Sequence, residues 1–445
     1  MILLVSKEMI SLMKIKMLLG KNQYLIYIVL GIAFILRNYT MAKYGIGMTI
    51  NSDDQGYINS AKDLLQTGVF SYHQKGTPTV HIMPGFTIFL ATIFYVFGSA
   101  DLGLYVTKTF MMLFGMASIY GIYLIGKYLH NVWTGLLSAL IFSLSVPHIV
   151  TDNLVMTEAP FTACFIFFVY FSMLHVKFKL RRHFYCLLAF YVICLFLRPT
   201  VALMPFVLLI YYLTKKYPWK LMIRYAAIAF ITLILLLTPW WIRNYIHFND
   251  FIPLSGSSGD PLLLGTFQGE GYPNNESYDD VIIKVKEVMP VQDAYYELKY
   301  EEIFAKERMR VWWETNPSSM IKSYLLLKPI LFWKDTFYWI PIFNITGDFV
   351  ALFQKISLGI GFSGLLISLF SLKNKRSEIF FIFLFILYFT VINSYYFAYA
   401  RYNLPLMPFV YLGSSIFISF IIYHISNFAV KLKMKYAVHI EEGAN

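Results

Sequence analysis

The chain has 445 residues, of which 58% are apolar, 19% are aromatic and only 14% carry charge, more apolar surface than a water-soluble core of this length needs. Its formal net charge is +12, yet Lys and Arg fall in short clusters between apolar runs, which argues against a nucleic-acid partner and for a polytopic membrane protein. Cys164, Cys186 and Cys194 all sit inside apolar runs and read as small core residues, not as a disulfide framework or metal cluster.

Residues 1–22 mix apolar residues with Lys7, Lys14, Lys16 and Lys21, and no small-residue cleavage site follows the next apolar run, so a cytoplasmic N-terminus without a cleaved leader is expected. Tyr24–Leu36 opens the first span and delivers the chain to the outer face before NSDDQGYIN, Asn51–Asn59. The mixed residues from Gly56 to Leu65 predict a helix lying in the interface, its first turn capped by Ser52 or Asp53. Apolar segments follow at Met83–Phe97, Leu102–Ile125, Val132–Val146, Leu154–His175, Phe184–Leu197, Val201–Leu213, Leu221–Thr238, Val350–Phe370, Ile379–Val391 and Leu404–Ile422.

The cationic stretches Lys177–His183, Thr214–Lys220, Leu372–Glu378 and the tail with Lys431, Lys433 and Lys435 are assigned to the cytoplasm by the positive-inside rule. Asp152–Glu158, Arg198, Trp240–Tyr338 and Arg401 then share the outer side with Asp53. Eleven apolar segments cannot leave both termini inside, so one is not a full span. Met83–Phe97 is short for a hydrocarbon core of roughly 30 Å and opens with Pro84 and Gly85, which predicts a re-entrant or strongly tilted helix.

The expected fold is therefore an all-α polytopic bundle of about 10–11 transmembrane helices. It divides into an N-terminal membrane module, 1–239, with a first outer loop at 37–82; an extracytoplasmic loop with interfacial helices, 240–347; and C-terminal helices with a cytoplasmic tail, 348–445. Within the outer loop, Leu325–Pro341 with Lys328, Lys334 and Asp335 predicts an interfacial helix, not a span. The glycines of Ser255–Gly265 follow no strand and lack a GxxxxGK pattern, so they form no nucleotide loop. No internal repeat is visible, which weighs against duplicated transporter architectures.

Asp53 and Asp54 follow the first span directly and precede Tyr57, Ile58, Ala61, Leu64 and Leu65, which would pin the pair against the bilayer surface. Acids at a helix start are also favoured simply by the macrodipole. As chemistry, a carboxylate held there could serve as a general base, its pKa raised by partial desolvation. Glu158 and Asp152 flank a loop that enters an apolar span, where an ionisable group is costly, although Thr157 and Glu158 before Pro160 also fit helix capping. Arg198, Arg243 and Arg401 each end a span on the outer side, where arginine is under-represented. They either snorkel to headgroups or bind a phosphate through their bidentate fork. Asp53, Asp54, Glu158 and His81 offer oxygen and nitrogen ligands for a divalent cation, but neither their spacing nor that of His73 and His81 matches a metal motif, and no other cofactor is indicated.

The series SDDQGYINSAKDLLQTGVF, MPGFTIFLATIFYVFG, TEAPF, LRPT, TPWWIRNYIHFNDFIPLSGSSGDPLLLGT and ARYNLPLMP, in this order over most of the chain, resembles the GT-C superfamily of membrane glycosyltransferases. Within it the series is similar to bacterial members of glycosyltransferase family 39, the protein O-mannosyltransferase and aminoarabinose-transferase relatives. The resemblance implies that Asp53, four residues before Tyr57, is the catalytic base, and that a polyprenyl-phosphate sugar is the donor. Arg401 matches the family's RY…P and Arg243 its PW…RN; by their position, Asp54, Tyr57, Glu158, Arg198 and Tyr402 join these two arginines as candidate substrate-binding residues. One departure is His81-Ile82-Met83-Pro84, where many relatives carry Lys-Pro-Pro or Arg-Pro-Pro, leaving Lys75 or His81 to substitute for that cation.

Two functions compete at this stage. One is an inverting transfer of sugar from the lipid donor to a protein, glycan or lipid acceptor at the extracytoplasmic face of the cell membrane. The other is a non-enzymatic flippase or transporter of a lipid-linked sugar, which would distribute polar groups through the bilayer midplane. The near-absence of charge from the apolar segments favours the first.

Overall fold

The structure, a computed structural model, describes residues 22–442, so the reading of Lys7, Lys14, Lys16 and Lys21 lies outside the described residues. Among those described, every regular element is helical. The first half contains α1 (Leu25–Tyr44), α2 (Asp53–Thr67), α3 (Pro84–Phe97), α4 (Asp101–Leu129), α5 (Val132–Ser143), α6 (Val146–Thr151), α7 (Glu158–Phe178), α8 (Arg181–Leu197), α9 (Met204–Thr214) and α10 (Trp219–Phe248). The second half contains α11 (Gly259–Gly265), α12 (Tyr278–Val288), α13 (Ala294–Thr315), α14 (Pro317–Lys322), α15 (Lys328–Lys334), α16 (Gly347–Ser371), α17 (Arg376–Tyr395) and α18 (Met407–Glu442).

Each apolar segment of the sequence falls on a helix. Among the described residues seven segments, those of α1, α4, α7, α10, α16, α17 and α18, are long and apolar enough to cross a membrane, which makes this a multi-pass membrane protein. The segment Met83–Phe97 becomes a helix of 14 residues, about 21 Å long, too short to cross upright. Two more are short, and the reason is proline. Pro147, at the start of α6, divides Val132–Val146 after Ser143, and Pro199 with Pro205 delays α9 to Met204. Conversely, α10 continues through Pro239 to Phe248, so the expected boundary at 239/240 falls inside a helix.

α7 forms the axis of the bundle, with 78% of its apolar window buried, whereas α10 at the periphery has 11% of its own buried. A single apolar cluster runs from α1 to α18 around it. α16 and α18 cross closely at glycines, because a Cβ on Gly364 would lie 1.9 Å from the Gly413 carbonyl.

The two ends of α7 differ in chemistry. Its last turn carries Lys177, whose ammonium lies over the Tyr128 ring together with that of Lys375, while Lys215 pairs with Glu378 at 2.8 Å. Three of the cationic loops thus meet at one end. Glu158 begins the helix, 19 residues before Lys177 and about 28 Å away. An apolar cavity of about 1170 Å³, lined by Leu25, Ile28, His130, Trp133 and His424 among others, does not touch Glu158.

Candidate functional site

The site grows from the turn before α2. Asn51 sits in the left-handed region (φ 52°), turning the chain so that Asp53 and Asp54 are the first residues of the helix. Ser52 makes no side-chain cap. Instead Asp54, fully buried, accepts from the Ile50 N–H at 2.9 Å, the Ser52 N–H at 3.0 Å and the Thr49 hydroxyl. Lys108 of α4 fixes the incoming strand by donating to the Met48 carbonyl at 2.8 Å. Asp54 therefore holds the loop together from within. Its neighbour is left free to point the other way.

Asp53 Oδ2 lies 2.6 Å from Arg401 Nη2, and Oδ1 accepts from the Tyr72 hydroxyl at 3.2 Å. Arg401 stands in the 3₁₀ stretch Ala400–Leu406 between α17 and α18. Its Nε is 3.0 Å from Glu158 Oε1, an ion pair without hydrogen-bond geometry. The same Oε1 is 2.5 Å from Arg198 Nη2, and Arg198 also donates to Thr157 Oγ1 at 2.9 and 3.1 Å. Arg198 ends α8 because Pro199 forces the residue before it into an extended conformation (φ −146°, ψ 123°). Thr157, read as a possible cap for α7, accepts from Arg198 instead.

Tyr402 presents its ring to both guanidinium groups, at 5.6 Å from Arg401 and 5.8 Å from Arg198. Tyr57 packs edge-on between Tyr72 and Phe86, within electrostatic reach of Asp53 and Arg198. Side-chain exposure is 2% for Glu158, 13% for each arginine and 35% for Asp53, so the cluster opens at Asp53. Two carboxylates and two guanidinium groups leave it formally neutral.

Burial pushes the Asp53 carboxyl up, but the Arg401 charge and the donors Arg401 and Tyr72 outweigh it, and its pKa sits below the ordinary 3.8. The expectation of a raised pKa is thereby corrected: desolvation is present but loses to a guanidinium in direct contact. His81 stacks on Tyr72 at 5.1 Å and packs against His73 at 4.5 Å. Burial first, then His73, hold its imidazole down to about 4 against the pull of Asp53, so it is neutral near pH 7. Lys75 is exposed and donates to Gln66. Of the two residues considered for the Lys-Pro-Pro position, His81 is thus uncharged near pH 7 and Lys75 is engaged with Gln66.

Arg243, expected at a phosphate, is placed elsewhere. It donates to the Thr79 carbonyl at 2.7 Å, the Phe70 carbonyl at 3.1 Å and Asn244 Oδ1 at 2.9 Å, inside a cage of Phe70, Trp240 and Phe248. Asp152 pairs with the buried Arg37 of α1 at 2.7 Å. Of the cation-ligand candidates Asp53, Asp54, Glu158 and His81, Asp54 accepts hydrogen bonds from its own loop, and His81 stacks on Tyr72 with its Nδ1 buried and unpartnered. Among the described residues no three His, Cys, Asp or Glu side chains converge as ligands. Sequence reasoning missed Tyr72 and Arg37, neither of which carries a spacing signal, and read Thr157 as a cap and not as a partner of Arg198.

Residues 80–242 match the family model described as dolichyl-phosphate-mannose-protein mannosyltransferase, a stretch that includes Glu158 and Arg198 but not Asp53 or Arg401. The archaeal oligosaccharyltransferase AglB from Archaeoglobus fulgidus, solved with an inhibitory peptide and a dolichol-phosphate, is similar with a TM-score of 0.55 at 11% identity, covering 92% of this chain and 52% of its own. The chain thus spans about half of AglB's length. ArnT from Cupriavidus metallidurans, solved with undecaprenyl phosphate, gives a TM-score of 0.42 at 12% identity over 88% of this chain and 77% of its own. No curated protein matches by sequence. The chain shares its fold with AglB, and the matched family model agrees with the resemblance drawn from the sequence motifs.

Proposed function

We propose that this protein is an inverting glycosyltransferase that moves a sugar from a polyprenyl-phosphate-linked donor to an acceptor at the extracytoplasmic face, with Asp53 as base. The observation that carries the proposal is the junction of Asp53, Arg401, Glu158 and Arg198, drawn from four distant segments, with the base at its open edge. In the reaction an acceptor O–H or N–H gives its proton to Asp53 as the acceptor atom attacks the anomeric carbon. The bond from that carbon to the phosphate oxygen breaks, and the lipid phosphate leaves with the electron pair. A single displacement from the opposite face inverts the configuration.

Arg401 and Arg198 would hold the leaving phosphate, where a guanidinium fork stabilises developing charge. Arg401 is paired with Asp53 at rest, so a phosphate that draws it away also frees the carboxylate. Glu158 keeps Arg198 as its partner during this exchange and need not become an unpaired buried charge. Arg243 has no part in donor binding on this reading. The test is sugar transfer in membranes supplied with polyprenyl-phosphate-linked sugars: Asp53→Asn abolishes it at unchanged expression, and retained transfer removes Asp53 from the base role.

A further inference from the structure

We propose that Tyr72 is a positioning residue for Asp53, its hydroxyl holding Oδ1 so that the carboxylate stays aimed when Arg401 turns to the donor phosphate. This rests on Asp53 being the base. Each carboxylate oxygen has its own donor at rest, Tyr72 Oη on Oδ1 and Arg401 Nη2 on Oδ2. A carboxylate held by a guanidinium alone loses its orientation once that partner leaves. With Tyr72 in place, Oδ2 is the oxygen set free, and it is the one available to take the acceptor's proton.

The fold holds the Tyr72 ring in place on several sides. His81 stacks on it at 19°, and His73 and Tyr57 meet it edge-on at 4.8 and 5.6 Å. Below it runs the bare first turn of α2, where a Cβ on Gly56 would lie 2.7 Å from Tyr72 Cζ and 2.8 Å from its hydroxyl oxygen. The loop itself is tied on both flanks of Tyr72. Arg243 bonds the Phe70 and Thr79 carbonyls, the Thr79 N–H donates to the Phe70 carbonyl at 2.9 Å, and Ser71 donates to Asp63 at 2.6 Å. Arg243 thus acts at a distance, by presenting the loop that carries Tyr72 and His81. Burial raises the Tyr72 pKa, so its hydroxyl remains a donor at neutral pH. The ionisable groups facing Asp53 are Arg401 and Tyr399 from the C-terminal turn, Tyr72 and His81 from the loop, Tyr57 from its own helix and Asp260 from α11.

The experiment uses the purified full chain in detergent and a water-soluble carbodiimide with glycine ethyl ester, which modifies protonated carboxyl groups. Modification of Asp53 is read by peptide mass spectrometry near pH 5 and normalised to the exposed Asp348. Tyr72→Phe keeps the ring and its stacking and removes one oxygen. It should accelerate Asp53 labelling about tenfold, the change that accompanies a one-unit rise in pKa. Gly56→Ala, which displaces the ring, should move the rate the same way. In transfer assays Tyr72→Phe should shift the acid limb of the pH–rate profile upward, which a merely structural loss would not do. Native-rate labelling in folded Tyr72→Phe overturns the proposal. Retained transfer in Asp53→Asn overturns the base reading separately, because labelling is measured without turnover.

Discussion

Two acid–arginine groupings take their acids from neighbouring stretches, Asp152 six residues before Glu158, and differ in exposure and in how their partners are shared. Asp152 and Arg37 form a closed pair: their side chains are 5% and 0% exposed, and Arg37 also donates to the Ala33 and Ser143 carbonyls at 3.3 Å. Gly115 seals it, since a Cβ there would lie 2.0 Å from Asp152 Oδ2. The cluster of Asp53, Arg401, Glu158 and Arg198 instead shares partners. One oxygen of Glu158 faces two guanidinium groups, Glu158 Oε2 is buried without a hydrogen-bond partner, and Asp53 opens to the outside. A closed pair fixes geometry, whereas a shared one can exchange a partner for a phosphate. The Arg37–Asp152 pair staples α1 to the turn that leads, six residues later, into Glu158, so it supports the cluster without joining it.

This contrast can be broken most forcefully at the two acids. Asp53→Asn should reduce sugar transfer by about 10²- to 10⁴-fold, the range for loss of a positioned general base, with thermal stability near native. Arg37→Ala should do the opposite kind of damage. It strands Asp152 as a buried charge and should cost about 3–5 kcal/mol of stability, measured by thermal or denaturant unfolding in detergent. Replacing both partners, Arg37→Met with Asp152→Leu, should recover most of that loss. If Arg37→Ala folds normally yet loses transfer, the division between the two groupings fails.

A smaller effect is expected at Arg243. Arg243→Ala leaves the Thr79 carbonyl without its donor and the Phe70 carbonyl with only the Thr79 N–H, and should destabilise by about 1–3 kcal/mol. Transfer should fall through kcat, and a selective rise in the KM for the lipid donor would instead return Arg243 to phosphate binding.

Near neutral pH the effects of pH are the smallest, and they grow only under acid conditions. Asp53 has a folded pKa below its ordinary 3.8, so its contribution to stability is fully present above that value and is lost as pH falls through the lower folded value. It should leave stability unchanged between about pH 5 and 8. His81, held down to about 4 from 6.5, binds its proton more readily in the unfolded chain, so stability should decline as pH falls from 6.5 towards 4. His81→Gln should flatten that decline in a series of melting temperatures.

Much of this molecule was legible in one dimension. Apolar run length and the placement of Lys and Arg carry the bilayer's solvent requirements directly, and each apolar segment became a helix for that reason. Asp53, Glu158, Arg198 and Arg401 could be picked out because ionisable groups at span ends are costly and uncommon. Span lengths were less legible. Pro147 and Pro199 shorten two helices, whereas α10 runs on through Pro239, and that tolerance depends on surroundings that no window of sequence contains.

Composition and apolar periodicity by themselves determined that this chain is a helical membrane bundle with its acids and arginines gathered at span ends. Only the tertiary structure shows how Asp53 and Asp54 differ in setting, because that depends on which carboxylate turns back to the N–H groups of its own loop. Likewise, only tertiary contact separated Arg401 from Arg243. Each ends a span in the same way, but one meets carboxylates and the other meets carbonyls, and a guanidinium takes its role from the charge of the oxygen it finds.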